Sequence, residues 1–273
     1  MGFWRRAAAL LTGRPAAADA PPIPDALWQA TLQGWPFLAD YPARPGADLR
    51  ALAAAFLQQK RFHGGQGLEI TDGMAVAIAA QACLPLLHFG PPDRALRWYG
   101  DFVGIVVHPA QVVAAREVVD ENAVVHQYDE VLAGEAMDQG PVMLSWEDVL
   151  AAGAGSGYNV VVHEFIHKID MADGEADGCP PLPAGFLGTR GVRAARAAWF
   201  AVLEPAYEAF REQVIIADRF GGQETWLDPY GAEAISEFLP VACEAYFVDR
   251  ARFAREFPAV LALFDAFFQR PPG

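Results

Sequence analysis

Cysteine and positive charge are both scarce in this sequence of 273 residues. The three cysteines are an odd number and show no CxxC spacing, which argues against a disulfide framework and a cysteine-based zinc site. We therefore expect a reducing, cytoplasmic location. Lysine and arginine total 20 against 34 acidic residues, giving a net charge of -14. Because nucleic-acid binding depends on clustered cations that neutralise phosphates, we expect no direct contact with DNA or RNA.

The sequence also lacks an unbroken apolar run of the roughly 20 residues that a transmembrane segment needs. The strongest candidate, residues 74–89, is interrupted by Gln81 and Pro85 and is predicted to be a buried helix. The first residues follow the order of a secretion signal, with arginines before an apolar stretch, but that stretch is too short. Residues 1–24 are therefore predicted to form a flexible tail, and residues 25–273 a single domain.

The periodicity of apolar residues predicts an α+β fold in two lobes. Residues 25–157 are predicted to hold helices and a small mixed sheet, and residues 158–273 an active-site helix and a helical lobe. The strand at 142–146 is either an ordinary core strand or the edge strand that pairs with an extended substrate. Helices are predicted at 49–62, 159–172, 192–216, 231–247 and 260–268, and strands at 102–107, 123–128 and 141–146.

An HExxH motif at residues 163–167 carries the chemistry of this sequence. On a helix, the side chains of His163 and His167 lie on one face and can bind a single ion, while Glu164 can act as the general base. Asn159 is a suitable N-cap for that helix. Asp170 lies on the same face, one turn beyond the motif, and is predicted to accept a hydrogen bond from an imidazole N–H.

A third metal ligand must come from elsewhere in the chain, because hydrolytic zinc sites usually have three protein ligands. Glu233, Glu237 and Glu244 lie close to one face of the predicted helix at 231–247. In so acidic a protein this face could simply be solvated. However, large apolar residues surround the acids, and a buried acid needs a cation or a shifted pKa. Glu237 and Glu244 are the better candidates.

The sequence resembles the Mlc titration factor A family of zinc-dependent peptidases, HExxH zincins whose catalytic half is related to anthrax lethal factor. The resemblance implies that Glu237 is the third ligand and that Glu244 lies just outside the ligand shell. It also implies that Tyr230 donates a hydrogen bond to the oxyanion, while Pro240 is expected to kink the helix after Glu237. The resemblance rests on residues 56–61, 140–146, 157–159 and 163–170 and on the acidic helix at 236–247.

The expected activity is hydrolysis of peptide bonds by a zinc-dependent metallopeptidase with one Zn²⁺ ion. Its substrate would be a peptide or protein, and the resemblance also implies aminopeptidase-like cleavage. The main alternative is a binding protein that sequesters a transcriptional repressor similar to Mlc, a role that is compatible with peptidase activity. A purely structural zinc site is a third reading, but it would need a fourth protein ligand and would leave Glu164 without a purpose.

Overall fold

The computed structural model describes residues 20–119, 125–153 and 157–269, and only the backbone of 114–119 and 125–131. Most of the predicted tail therefore lies outside the described residues. The α-helices are α1 (Asp25–Gly34), α2 (Leu49–Gln59), α3 (Asp72–Cys83), α4 (Pro92–Ala95), α5 (Trp146–Ala151), α6 (Val160–Asp170), α7 (Val192–Phe220), α8 (Ile235–Val248), α9 (Arg250–Glu256) and α10 (Pro258–Phe267). The strands are β1 (Arg61–Gly64), β2 (Gly104–His108), β3 (Val112–Val119), β4 (Val125–Leu132), β5 (Gly134–Ala136) and β6 (Val142–Ser145).

A four-stranded mixed sheet, in the order β1-β2-β6-β5, forms the base of the fold. β1 and β6 both run parallel to β2, whereas β5 runs antiparallel to β6. The mixed sheet is thus confirmed, but β6 lies inside it. The alternative that residues 142–146 form the substrate-binding edge is therefore wrong, because β5 separates them from the edge. Strands β3 and β4 form a separate antiparallel hairpin.

Helix α6 runs through the apolar core with ten of its eleven residues buried. The ring of Phe165 packs against Phe56 and Tyr99, with centroid separations of 5.7 and 4.9 Å. The face that bears the histidines packs against α8, which is buried from Phe238 to Phe247. Because tight apolar packing holds both helices, the polar groups between them have fixed positions.

The predicted helices are all present, with changes at their ends, of which the largest is in the helix predicted at 74–89: it runs from Asp72 to Cys83 and ends before Pro85. The helix predicted at 49–62 ends at Gln59, because the chain continues as the short strand β1. The helix predicted at 231–247 begins at Ile235 and continues through Pro240. The strand predicted at 123–128 begins at Val125, and its first residues lie outside the described part of the chain. Among the described residues, no helix is long and apolar enough to cross a membrane.

Candidate metal centre

The helix that carries the HExxH motif is capped as its sequence predicts. The Asn159 side chain accepts a hydrogen bond from Val162 N at 2.9 Å, which satisfies one free N–H of the first turn. The same amide donates to the side chain of Gln81, 2.8 Å away on α3. The start of α6 is therefore fixed both locally and against a neighbouring helix.

Three ligand atoms converge between α6 and α8. His163 Nε2 and His167 Nε2 lie 3.2 Å apart, and Glu237 Oε2 is 3.4 Å from the first nitrogen and 3.1 Å from the second. Among the described residues, these are the one group of three potential ligands gathered within 4.8 Å. Tetrahedral zinc with bonds of about 2.0–2.1 Å places its ligands roughly 3.3 Å apart. The three side chains therefore fit a zinc ion without rearrangement.

Glu237 reaches this position from the first turn of α8, upstream of Pro240. Proline removes one backbone hydrogen bond from a helix interior, and the carbonyl that loses its partner belongs to Ser236. The helix is nevertheless continuous from Ile235 to Val248. Pro240 therefore does not prevent Glu237 from meeting the two histidines.

Glu244 lies seven residues after Glu237 on α8 and orients the ring of His163. Its Oε1 lies 2.7 Å from His163 Nδ1, and its Oε2 accepts a hydrogen bond from Asn159 N at 2.5 Å. An ionised carboxylate can only accept, so Nδ1 carries a proton toward Glu244, and Nε2 is the ring nitrogen that faces Glu237 and could bind a metal. Burial raises the pKa of Glu244, and the bonds from His163 and Asn159 partly offset this effect.

The pKa values of His163 and Glu237 depend on each other, because the two side chains are hydrogen-bonded. Burial lowers the pKa of His163, but hydrogen bonds to Glu237 and Glu244 outweigh it and raise the pKa well above its usual range. Burial raises the pKa of Glu237, but its bonds to the two histidines lower it to about 2. A cation bound at the triangle would take the place of the proton on Nε2. Metal affinity should therefore fall as the pH falls.

Glu164 lies beside the triangle and directly against the edge strand. Burial raises the pKa of this carboxylate, while His163 and His167 lower it in part. A Cβ atom added to Gly134, the first residue of β5, would lie 2.5 Å from Glu164 Oε1. The carboxylate therefore fits beneath β5 only because the residue above it is glycine.

A cavity of about 800 Å³ opens beside these groups. Its wall includes the two histidines, Glu164, Glu237, the edge strand and the ring of Tyr230. That ring has its centroid 6.0 Å from the ring of His163. Tyr230 is 39% exposed and lines the cavity rather than lying in the core. The structure thus brings six of the seven residues proposed from sequence, Glu244 among them, to the wall of one cavity, and Asp170 is the exception.

Asp170 was predicted to accept a hydrogen bond from an imidazole N–H, and the structure gives it a different partner. Within the described part of the chain, its Oδ2 accepts a hydrogen bond from Gly178 N at 2.8 Å, and its Oδ1 has no hydrogen-bond partner. Its hydrogen bonds within that part of the chain include none to an imidazole. The chain reverses after α6 at Gly174, which has a positive φ of 98°, and the reversal brings the Gly178 amide to this carboxylate. The imidazole acceptor is Glu244 instead.

Two functional features were missed from sequence, namely strand β5 and its glycine at 134. A strand of three residues is too short to show the alternation that marks a strand. An isolated glycine in such a segment does signal a close approach of backbone to another group. That signal was available at Gly134.

Comparison with known proteins shows the family of the chain. A family model described as "Glucose-regulated metallo-peptidase M90" matches residues 4–269. Mlc titration factor A from Salmonella arizonae is 33% identical over 250 residues, which cover 91% of this chain and 92% of that protein. The protein of the same name from Salmonella paratyphi B is 33% identical over 239 residues, covering 87% of this chain and 84% of that protein. The chain therefore belongs to the M90 family of glucose-regulated metallo-peptidases.

Proposed function

We propose that this protein is a zinc-dependent metallopeptidase whose ion is held by His163, His167 and Glu237. The observation that carries the proposal is the triangle of ligand atoms with sides of 3.1 to 3.4 Å beside the buried Glu164. Three protein ligands facing a cavity are typical of catalytic rather than structural zinc sites. A bound zinc ion would lower the pKa of a coordinated water and polarise the carbonyl of the scissile bond.

Glu164 is the general base of the proposed reaction. It takes a proton from the attacking water and transfers it to the leaving amine. Its raised pKa suits this exchange, because a base with a pKa nearer to neutrality can both accept and return a proton. Tyr230, at the cavity wall, donates a hydrogen bond to the oxyanion that forms during attack. Glu244 holds His163 with Nε2 toward the ligand triangle.

The substrate is an extended peptide, which pairs with β5. This strand is at the edge of the sheet and lines the cavity, so a peptide can add to it by main-chain hydrogen bonds. Such pairing would place a peptide bond next to Glu164, which contacts Gly134. Cleavage near the amino terminus of the peptide, as in an aminopeptidase, is the finer form of this proposal.

The direct test is the Glu164→Gln variant, which keeps the size of the side chain and removes the base. We expect it to bind one equivalent of zinc, measured by atomic absorption, and to hydrolyse neither peptides nor amino-acid p-nitroanilides. Mass spectrometry of a peptide mixture would show which bonds the wild-type protein cleaves. Unchanged hydrolysis by a zinc-loaded Gln variant would exclude this mechanism.

A second candidate function is binding of a transcriptional repressor similar to Mlc. The observation that favours it is the name shared by the relatives, Mlc titration factor A. This function does not depend on the general base. The wild-type protein and the Glu164→Gln variant should therefore bind such a repressor equally in calorimetric titrations, and a lack of heat change for both would refute it.

A further inference from the structure

Lysine occurs at only two positions in this chain, Lys60 and Lys168, whereas the rest of its 20 lysine and arginine residues are arginine. Both lysines are buried, with 4% and 1% of their surface exposed. Both also lie against the ring of Phe102, their Nζ atoms 3.7 and 4.8 Å from its centroid. A compact ammonium with three donors fits sites that a planar guanidinium does not. Both lysines therefore occupy buried sites that suit a compact ammonium.

Lys168 follows the metal ligand His167 directly and makes three hydrogen bonds. Its Nζ donates to Asp101 Oδ2 at 2.8 Å and to the carbonyl oxygens of Met137 and Gly140 at 2.5 and 3.1 Å. The side chain of Lys168 is fully buried, whereas that of Asp101 is 34% exposed. Three acceptors match the three N–H groups of an ammonium, which satisfies a charge that would otherwise be costly to bury.

The two carbonyl groups belong to the turn between β5 and β6. Met137 is the residue after β5, and its carbonyl also accepts a hydrogen bond from Gly140 N at 3.1 Å. Lys168 therefore binds the end of the edge strand that is farther from Gly134. The nearer end contacts Glu164, which lies four residues before Lys168 on the same face of α6. One face of the metal-binding helix thus contacts both ends of β5.

We propose that Lys168 is a positioning residue that sets the distance of β5 from the metal ligands and from the general base, Glu164. By holding the turn at 137–140 it fixes the strand along α6. A peptide paired with β5 is then presented with its scissile bond at Glu164. The proposal rests on the proposed function, because it assumes that the peptide pairs with β5.

The test compares Lys168→Met with the wild-type protein, both zinc-loaded and full length. Hydrogen–deuterium exchange should be about tenfold faster at residues 134–140 and unchanged in α6, because the loss of charge-assisted bonds releases the turn alone. The KM for an extended peptide that the wild type cleaves should rise about tenfold. The kcat/KM for an amino-acid p-nitroanilide, which is too short to pair with the strand, should stay within about twofold.

Two further variants provide controls. Asp101→Asn removes one acceptor at a partly exposed site and should produce a smaller change of the same kind, so it serves if Lys168→Met fails to fold. Lys60→Met removes the other buried lysine, whose Nζ donates to the carbonyls of Tyr99 and Phe102. It should destabilise the protein. Hydrogen exchange at residues 134–140 and the ratio of the activities toward the two substrates should both stay unchanged.

The outcomes separate the two proposals. Unchanged exchange at 134–140 in both Lys168→Met and Asp101→Asn would overturn the role of Lys168. Equal losses of activity toward both substrates, with faster exchange throughout the chain, would also overturn it, because they would indicate a purely structural lysine. A zinc-loaded wild-type protein that cleaves neither substrate would instead refute the proposed function, while the exchange data would still show whether Lys168 holds the turn.

Discussion

Replacing Gly134 by alanine should inactivate the proposed peptidase without removing its metal. The added Cβ would lie 2.5 Å from Glu164 Oε1 and 2.7 Å from its Cγ. An ordinary contact needs about 3.4 Å or more, so the base and the edge strand must separate by roughly 1 Å. A displacement of about 1 Å between reacting groups can lower the rate about 100-fold. We therefore expect kcat/KM for peptides to fall by about two orders of magnitude.

The assay is steady-state hydrolysis by the zinc-loaded Gly134→Ala protein, with zinc affinity measured by competition against a chelating dye. Zinc affinity should change by less than about threefold, because the ligands lie on α6 and α8 rather than on β5. Gly34→Ala is the matched control, since a Cβ at Gly34 would meet nothing within 4 Å. If Gly134→Ala is as active as Gly34→Ala, the base does not act from beneath β5 and the reasoning is refuted.

Three further substitutions test other parts of the site. Glu244→Gln should weaken zinc binding by about 10- to 100-fold, because His163 loses a charged acceptor; wild-type affinity in the dye assay would contradict this. Tyr230→Phe should lower kcat about 100-fold with little change in KM, and an unchanged kcat would remove Tyr230 from the mechanism. Burial raises the pKa of Asp170 to about 7 from 3.8. The stability that the neutral carboxyl contributes is therefore present below its ordinary pKa and is lost as the pH rises to about 7. Asp170→Asn should remove a slope of about 1.4 kcal/mol per pH unit over that interval in urea unfolding, and a wild-type slope would show that another group titrates.

The sequence was sufficient for the parts of the site that depend on local geometry. The four-residue spacing of His163 and His167, together with a cap at Asn159, defined a helix and the face on which a metal would bind. Glu237 lies 70 residues after His167. Helical spacing pointed to three acids, the apolar residues around them favoured two, and the family resemblance selected Glu237. Distance in sequence was therefore no obstacle where a periodic pattern limited the candidates.

The features that could not be predicted depend on the path of the backbone after each helix or strand, which decides which segments come into contact. Asp170 lies on the correct face of α6, but helical spacing cannot show that the chain reverses and brings the Gly178 amide to it. Similarly, β5 is an edge strand because its partner is β6 and the next strand beyond is β2. No residue within its three positions encodes that order. Both errors therefore arose from tertiary contacts that no local pattern records.

Helix α8 supplies two groups to the proposed metal centre, and their spacing links both of them to the position of α8 relative to α6. Glu237 and Glu244 are seven residues apart, so both lie on the face that packs against α6. The first meets both histidines and the second holds His163 Nδ1 together with the N-terminus of α6. A shift of α8 along α6 would therefore displace both Glu237 and the glutamate that orients His163. On another face of α6, Lys168 binds the turn that follows β5. Helix α6 is therefore held both to α8 and to the segment that carries the edge strand, and both line the cavity.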